Sequence, residues 1–107
     1  MYLVFDIGAT NMRLAISKDG STLDAPQIVP TPKEFEEGIE LFTKVAKQIS
    51  NDQPIRALAG GIAGPLDKEK TTLVHAPNLQ EWIEKPLKNN LETAFDVPGQ
   101  RLEVPFR

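Results

Sequence analysis

Asp6-Ile7-Gly8-Ala9-Thr10-Asn11 brings a carboxylate, a glycine and two hydrogen-bonding side chains into one short segment. Such a set suits a phosphate. Gly8 lets the backbone approach an anion closely, and Thr10 and Asn11 add donors at the turn. Asp6 suits a magnesium ion held through water, because magnesium prefers carboxylate oxygen and keeps several of its waters. The segment is not a Walker loop, since no Gly-Lys-Ser/Thr follows the glycine. The competing reading is a hairpin turn whose small residues satisfy geometry alone.

Two further segments carry chemistry. Gly60-Gly61-Ile62-Ala63-Gly64-Pro65 follows an apolar run, so its three glycines would leave a strand end open to a ligand. A mobile glycine turn is the plainer alternative. His75-Ala76-Pro77-Asn78-Leu79-Gln80-Glu81-Trp82 contains the single histidine and the single tryptophan. Asn78 offers both a donor and an acceptor, which fits a sugar hydroxyl. His75 has no Ser or Cys nucleophile motif beside it and reads as a structural residue. Trp82 reads as an anchor on the core rather than as a stacking platform for a sugar.

These segments need strands and helices to position them. Tyr2 to Ile7 is a short aromatic and β-branched run bounded by Gly8, which predicts a buried strand. Met12, Leu14 and Ile16 alternate with Arg13, Ala15 and Ser17, the period of a second strand with one face on a core. Lys18-Asp19-Gly20-Ser21 is turn chemistry. Gln27-Ile28-Val29, between Pro26 and Pro30, predicts a short edge strand. Thr31-Pro32-Lys33-Glu34 reads as a capping box opening a helix over 33–50, with Phe35, Ile39, Phe42, Val45, Ala46 and Ile49 on one face. Asn51 to Pro54 ends it. Ile55 to Ala59 predicts a fourth strand, and Thr71 to Val74 a further short one. Pro86 opens a second helix carrying Leu87, Leu91, Ala94 and Phe95. The order is β-β-β-α-β-α. Hairpins join antiparallel neighbours and a helical crossover returns the chain in parallel, so strand four should run parallel to strand one in a mixed sheet.

The 107 residues suit a single domain, with 40% hydrophobic and 25% charged residues. The net charge is −3 and the 12 basic residues form no run, which speaks against a nucleic-acid partner. There is no cysteine, so neither a disulfide nor a thiolate zinc site can form. The N-terminal apolar run lacks a basic flank and is interrupted by Asp6, unlike a signal peptide. No run reaches the roughly 18 to 20 apolar residues of a membrane span. A cytoplasmic location with no membrane partner is expected.

Taken in order, the three segments resemble the ROK family of bacterial sugar kinases and related repressors. DIGATNMRLAI is similar to the family's first phosphate loop, commonly Asp-Ile-Gly-Gly-Thr-Lys. GIAGPLD is similar to its Gly-x-Pro-Gly-Pro-Val-Asp segment, and HAPNLQEW to its Ala-Pro-Asn-Leu-x-x-Trp segment. The resemblance covers about residues 2–98, taken as one N-terminal domain, with 99–107 as a divergent or truncated tail. It implies an α/β domain of the actin-like ATPase, ribonuclease-H-like class, half of a clamp around ATP and a sugar. It implies that Asp6, Gly8, Ala9, Thr10 and Asn11 face the phosphates and magnesium. It implies that Gly64, Pro65 and Asn78 line a sugar pocket. Ala9 and Asn11 replace the common Gly and Lys, and Asn11 removes a cation near the phosphates.

The resemblance also implies a general base in an Asn-Asp-Ala segment after the next strand. Here Arg101-Leu102-Glu103 looks like the strand, but Val104 and Pro105 stand where that segment would be, and neither accepts a proton. No residue of this chain is therefore assigned as catalytic, and the chain is expected to be inactive alone and prone to self-association. The chain starts at the first strand without a helix-turn-helix, which favours the kinase branch. The alternatives are a non-catalytic sugar- or phosphate-binding or assembly module on the same fold, or another actin-like ATPase. The HAPNLQEW segment argues against the last.

Overall fold

The computed structural model describes residues 1–62, 73–74, 79–95 and 102–103. Strands β1 (Tyr2–Ile7), β2 (Asn11–Ser17) and β3 (Gln27–Pro30) come first. Helix α1 (Phe35–Ile49), β4 (Ala57–Ile62), a short 3-10 helix (Gln80–Trp82), α2 (Leu87–Phe95) and β5 (Leu102–Glu103) follow. The five strands form one sheet in the order β3-β2-β1-β4-β5. β1 pairs antiparallel with β2, and β2 antiparallel with β3. β4 runs parallel to both β1 and β5. This is the mixed sheet expected from the sequence, with β3 at its edge.

One face of the sheet carries the core. Leu3, Phe5 and Ile7 alternate inward from β1, as do Met12, Leu14 and Ile16 from β2 and Leu58 and Ile62 from β4. Phe35, Phe42, Val45 and Ala46 of α1, and Leu87 and Leu91 of α2, close over them. Phe42 is wholly buried and meets the rings of Phe5 at 5.1 Å and Phe95 at 5.9 Å, both edge to face. Burying a side chain of this size stabilises by about 1.5–3 kcal/mol, and edge-to-face pairing adds to it. Ile39 is only partly buried at the rim of this cluster.

Several local expectations change. The fourth strand covers Ala57–Ile62, not 55–59, so Gly60 and Gly61 belong to the ladder rather than to an open loop. Gly60 lies opposite Phe5, and a Cβ there would fall 2.6 Å from Cγ and Cδ2 of the Phe5 ring and closer still to the Phe5 carbonyl oxygen. The Phe5 ring thus fills the place of a side chain at residue 60. α1 begins at Phe35, its N-cap is Glu34, and no side chain caps it. Thr31 does not cap because the helix starts four residues after it; its hydroxyl bonds elsewhere, as described below. The helix stops where Asn51 and Asp52 turn left-handed (φ 54° and 60°), with the Asp52 N–H donating to the Lys47 carbonyl at 3.0 Å. Among the described residues of 71–74, Leu73 makes one parallel bridge, to Ile83, rather than a named strand.

The loop after β2 is closed by its own aspartate. Asp19 Oδ1 accepts from the N–H groups of Ser21 (2.8 Å) and Thr22 (2.9 Å). These bonds, Thr22 first, lower the Asp19 pKa from 3.8 to about 2. Gly20 follows in left-handed geometry, φ +83°, which suits glycine. No helix among the described residues is long and apolar enough to cross a membrane.

Candidate functional site

The β1–β2 hairpin sets the first segment. Ile7 pairs with Met12, and the Gly8 N–H donates to the Asn11 carbonyl at 2.9 Å, so Ala9 and Thr10 form a two-residue turn. Ala9 is half-buried and packs on the core, while Thr10 and Asn11 are exposed. The turn stands at the carboxyl ends of β1 and β4, which run in parallel and finish together at Ile7 and Ile62. Ligands gather at such strand ends in α/β sheets.

Asp6 points to the sheet face opposite α1, since Phe5 and Ile7 on either side are buried in the core. Its Oδ1 is shielded from solvent. Its neighbours in the ladder are Gly61 on one side and Arg13 on the other. Residues paired across a ladder share a face. Gly61 therefore places no side chain next to the carboxylate, and Arg13 brings an exposed cation to the same face. Gly60 makes room for Phe5 in the core, and Gly61 adds no side chain on the face of Asp6.

The donor set fits a magnesium polyphosphate. Magnesium is usually held by one or two carboxylates together with substrate phosphate oxygens and water. Asp6 offers one hard oxygen ligand at the turn. Among the described residues no group of three or more acidic or histidine side chains forms a ready-made metal cage. Asp6, Gly8, Ala9, Thr10 and Asn11 run from the end of β1 through the turn to the start of β2. Gly64, Pro65, Asn78 and His75 lie outside the described residues, as do Val104 and Pro105.

Two residues of the site were not foreseen. Thr31 is 6% exposed and donates its hydroxyl to the Gly8 carbonyl at 2.7 Å. Its N–H donates to the Thr10 carbonyl at 2.9 Å. Finding it needs the β2–β3 register, Asn11 against Pro30, which the sequence does not state. Arg13 was within reach: a two-residue turn at Ala9–Thr10 fixes the hairpin register and sets Arg13 opposite Asp6. Trp82 is an anchor, as expected. It is 1% exposed, stands edge-on to Phe35 at 5.2 Å, and donates its indole N–H to the Pro32 carbonyl at 3.0 Å.

The sequence profile of the ROK family matches residues 2–101. The chain belongs to the ROK family. A glucokinase from Streptomyces coelicolor is 26% identical over 93 residues, which are 87% of this chain and 29% of the relative. The fold of a ROK hexokinase from Thermus thermophilus superposes with a TM-score of 0.81 at 25% identity, covering 98% of this chain and 34% of that one. A ROK family glucokinase from Streptomyces griseus, solved in complex with glucose and AMPPNP, gives 0.79 at 23% identity, covering 99% of this chain and 32% of that one. The chain thus spans about a third of the length of these relatives.

Proposed function

We propose that this chain is the N-terminal, phosphate-loop portion of an ATP-dependent, glucokinase-like sugar kinase, with a domain that does not end at residue 98 but takes in β5 (Leu102–Glu103) as the edge strand of its sheet. The observation that carries the reading is the turn at Gly8–Asn11, set beside Asp6 at the shared carboxyl ends of β1 and β4 in a member of the ROK family. In the complete enzyme ATP supplies the phosphoryl group and magnesium offsets its charge. Asp6 would hold magnesium through water. The backbone N–H of Ala9 and the side chains of Thr10 and Asn11 would hold the phosphates, with Gly8, whose own N–H closes the turn on the Asn11 carbonyl, letting them approach. Arg13, on the face of Asp6, supplies a cation that Asn11 does not. Gly64, Pro65 and Asn78 would line the sugar site on the resemblance of their segments. The partners are then a small sugar and ATP, with no nucleic acid and no membrane, in the cytoplasm.

Alone, the chain is inactive on this reading. Phosphoryl transfer depends on positioning and on charge stabilisation from both sides of the donor and acceptor. The turn would supply one wall of such a site. No carboxylate stands at Val104–Pro105, and a general base is worth about 10² to 10⁴ in rate. The sheet face away from α1 carries Val4, Ala57 and Ala59, with Leu23 58% exposed beside them, which supports self-association. The experiment is a coupled ADP-release assay of the purified chain with glucose, mannose, fructose and N-acetylmannosamine. No sugar-dependent turnover is expected. Turnover that Asp6→Ala abolishes would contradict the inactivity.

A further inference from the structure

We propose that Thr31 is a positioning residue for the phosphate turn, fixed in place by Trp82 through Pro32. The proposal rests on the reading that the Gly8–Asn11 turn holds phosphate, and it names the part of the fold that sets the turn's geometry.

Thr31 reaches across 23 residues of sequence to grip the turn at two points. Its hydroxyl donates to the Gly8 carbonyl and its N–H donates to the Thr10 carbonyl. A trans peptide is planar, so its C=O and the following N–H point in opposite directions. Fixing the Gly8 carbonyl towards buried Thr31 therefore aims the Ala9 N–H away from it. Fixing the Thr10 carbonyl does the same for the Asn11 N–H. These backbone N–H groups are the donors that an anion at this turn would use. Thr31 stands three residues before Glu34, the N-cap of α1, so its hydroxyl does not cap the helix. The hydroxyl goes to the turn instead.

The grip is only as firm as Thr31 itself. The next residue, Pro32, has a restricted backbone and accepts the buried Trp82 indole N–H at 3.0 Å. The ring of Trp82 is pinned in turn between Phe35 and Gly38 of α1. Trp82 closes the segment Leu79–Trp82, so one strap of two residues joins that segment to the phosphate turn. Each hydrogen bond in it is an ordinary one, whose loss changes a local equilibrium by about 2- to 10-fold.

The test uses the ¹⁵N-labelled 107-residue chain and two readouts, amide hydrogen exchange by NMR and titration with magnesium-AMPPNP. Thr31→Val keeps the shape and removes the hydroxyl; Thr31→Ser restores it. Thr31→Val should speed exchange of the Gly8 amide by about 2- to 10-fold and leave amides of α1 and β4 unchanged, because one hydrogen bond is removed locally. It should weaken magnesium-AMPPNP by a similar factor, and Thr31→Ser should return both values to within about twofold. Trp82→Phe, which removes the indole donor, should loosen the Gly8 amide in the same direction. An unchanged Gly8 amide in Thr31→Val overturns the proposal, and so does uniform acceleration across α1, β4 and the turn, which would mark a role in global stability. If the wild-type chain ignores magnesium-AMPPNP, the phosphate reading fails, and the exchange data still decide whether Thr31 sets the turn.

Discussion

Gly38→Ala separates this packing arrangement from an ordinary helix by the sign of its effect. Gly38 is buried on the inner face of α1. In an exposed helix interior, glycine to alanine stabilises by about 0.5–1 kcal/mol. Here a Cβ would fall 2.7 Å from Cη2 of Trp82 and closer still to Cζ2. Carbon atoms prefer about 3.5–4.0 Å, so the ring must retreat by about 1 Å. It has little freedom to do so, being 1% exposed, edge-on to Phe35 and bonded to the Pro32 carbonyl. Overpacking of this kind costs about 1–3 kcal/mol, and a strained indole bond adds about 1 kcal/mol. The net expectation is a loss of about 2 kcal/mol, or about 10 °C in melting temperature for a domain of this size. Equilibrium urea unfolding measures it, with the single tryptophan as the reporter. In a Trp82→Phe background, followed by circular dichroism, the same substitution should become neutral or stabilising. A wild-type-background Gly38→Ala that gains stability would refute the reasoning.

Other expectations follow from the same contacts. Gly60→Ala should cost at least as much as Gly38→Ala, about 3 kcal/mol, because its Cβ meets the Phe5 backbone as well as the ring; chemical denaturation checks it. Phe42→Ala should cost about 3–5 kcal/mol by the same measurement, since the ring is wholly buried between Phe5 and Phe95. Asp19 has a lowered pKa, about 2, so its contribution is complete above its ordinary 3.8 and is lost as pH falls through about 2. Stability should therefore rise with pH between about 2 and 4, and Asp19→Ala should flatten that part of a melting-temperature profile. Sedimentation velocity should show self-association that Leu23→Lys reduces, because Leu23 is 58% exposed beside Val4, Ala57 and Ala59.

Most of the frame was legible because each element follows a local rule. Alternation at Met12, Leu14 and Ile16 marked β2, and Pro26 and Pro30 marked an edge strand, where β3 lies. The helical spacing of Phe35, Phe42 and Val45 marked α1. What local rules could not supply was partnership across long separations. Thr31 has the composition of a helix cap, yet α1 starts later, at Phe35, and the β2–β3 register presents the Thr31 hydroxyl to the Gly8 carbonyl. Gly60 and Gly61 look like a loop by composition. They lie in a strand because they pair with Phe5 and Asp6 of β1, and the Phe5 ring occupies the volume that a residue-60 side chain would take. In the site, the segment Asp6–Asn11 was readable from residue types. Its neighbours Gly61 and Arg13 are defined by the sheet.

The central claim is that the Gly8–Asn11 turn is a phosphate site. A ¹⁵N NMR titration of the 107-residue chain with magnesium-AMPPNP tests it most directly. The account predicts saturable shifts at the amides of Gly8, Ala9, Thr10 and Asn11, which adjoin Asp6 at the ends of β1 and β4, and their loss in Asp6→Asn. Saturable shifts confined to residues remote from this turn, or no shifts at millimolar nucleotide, would contradict it.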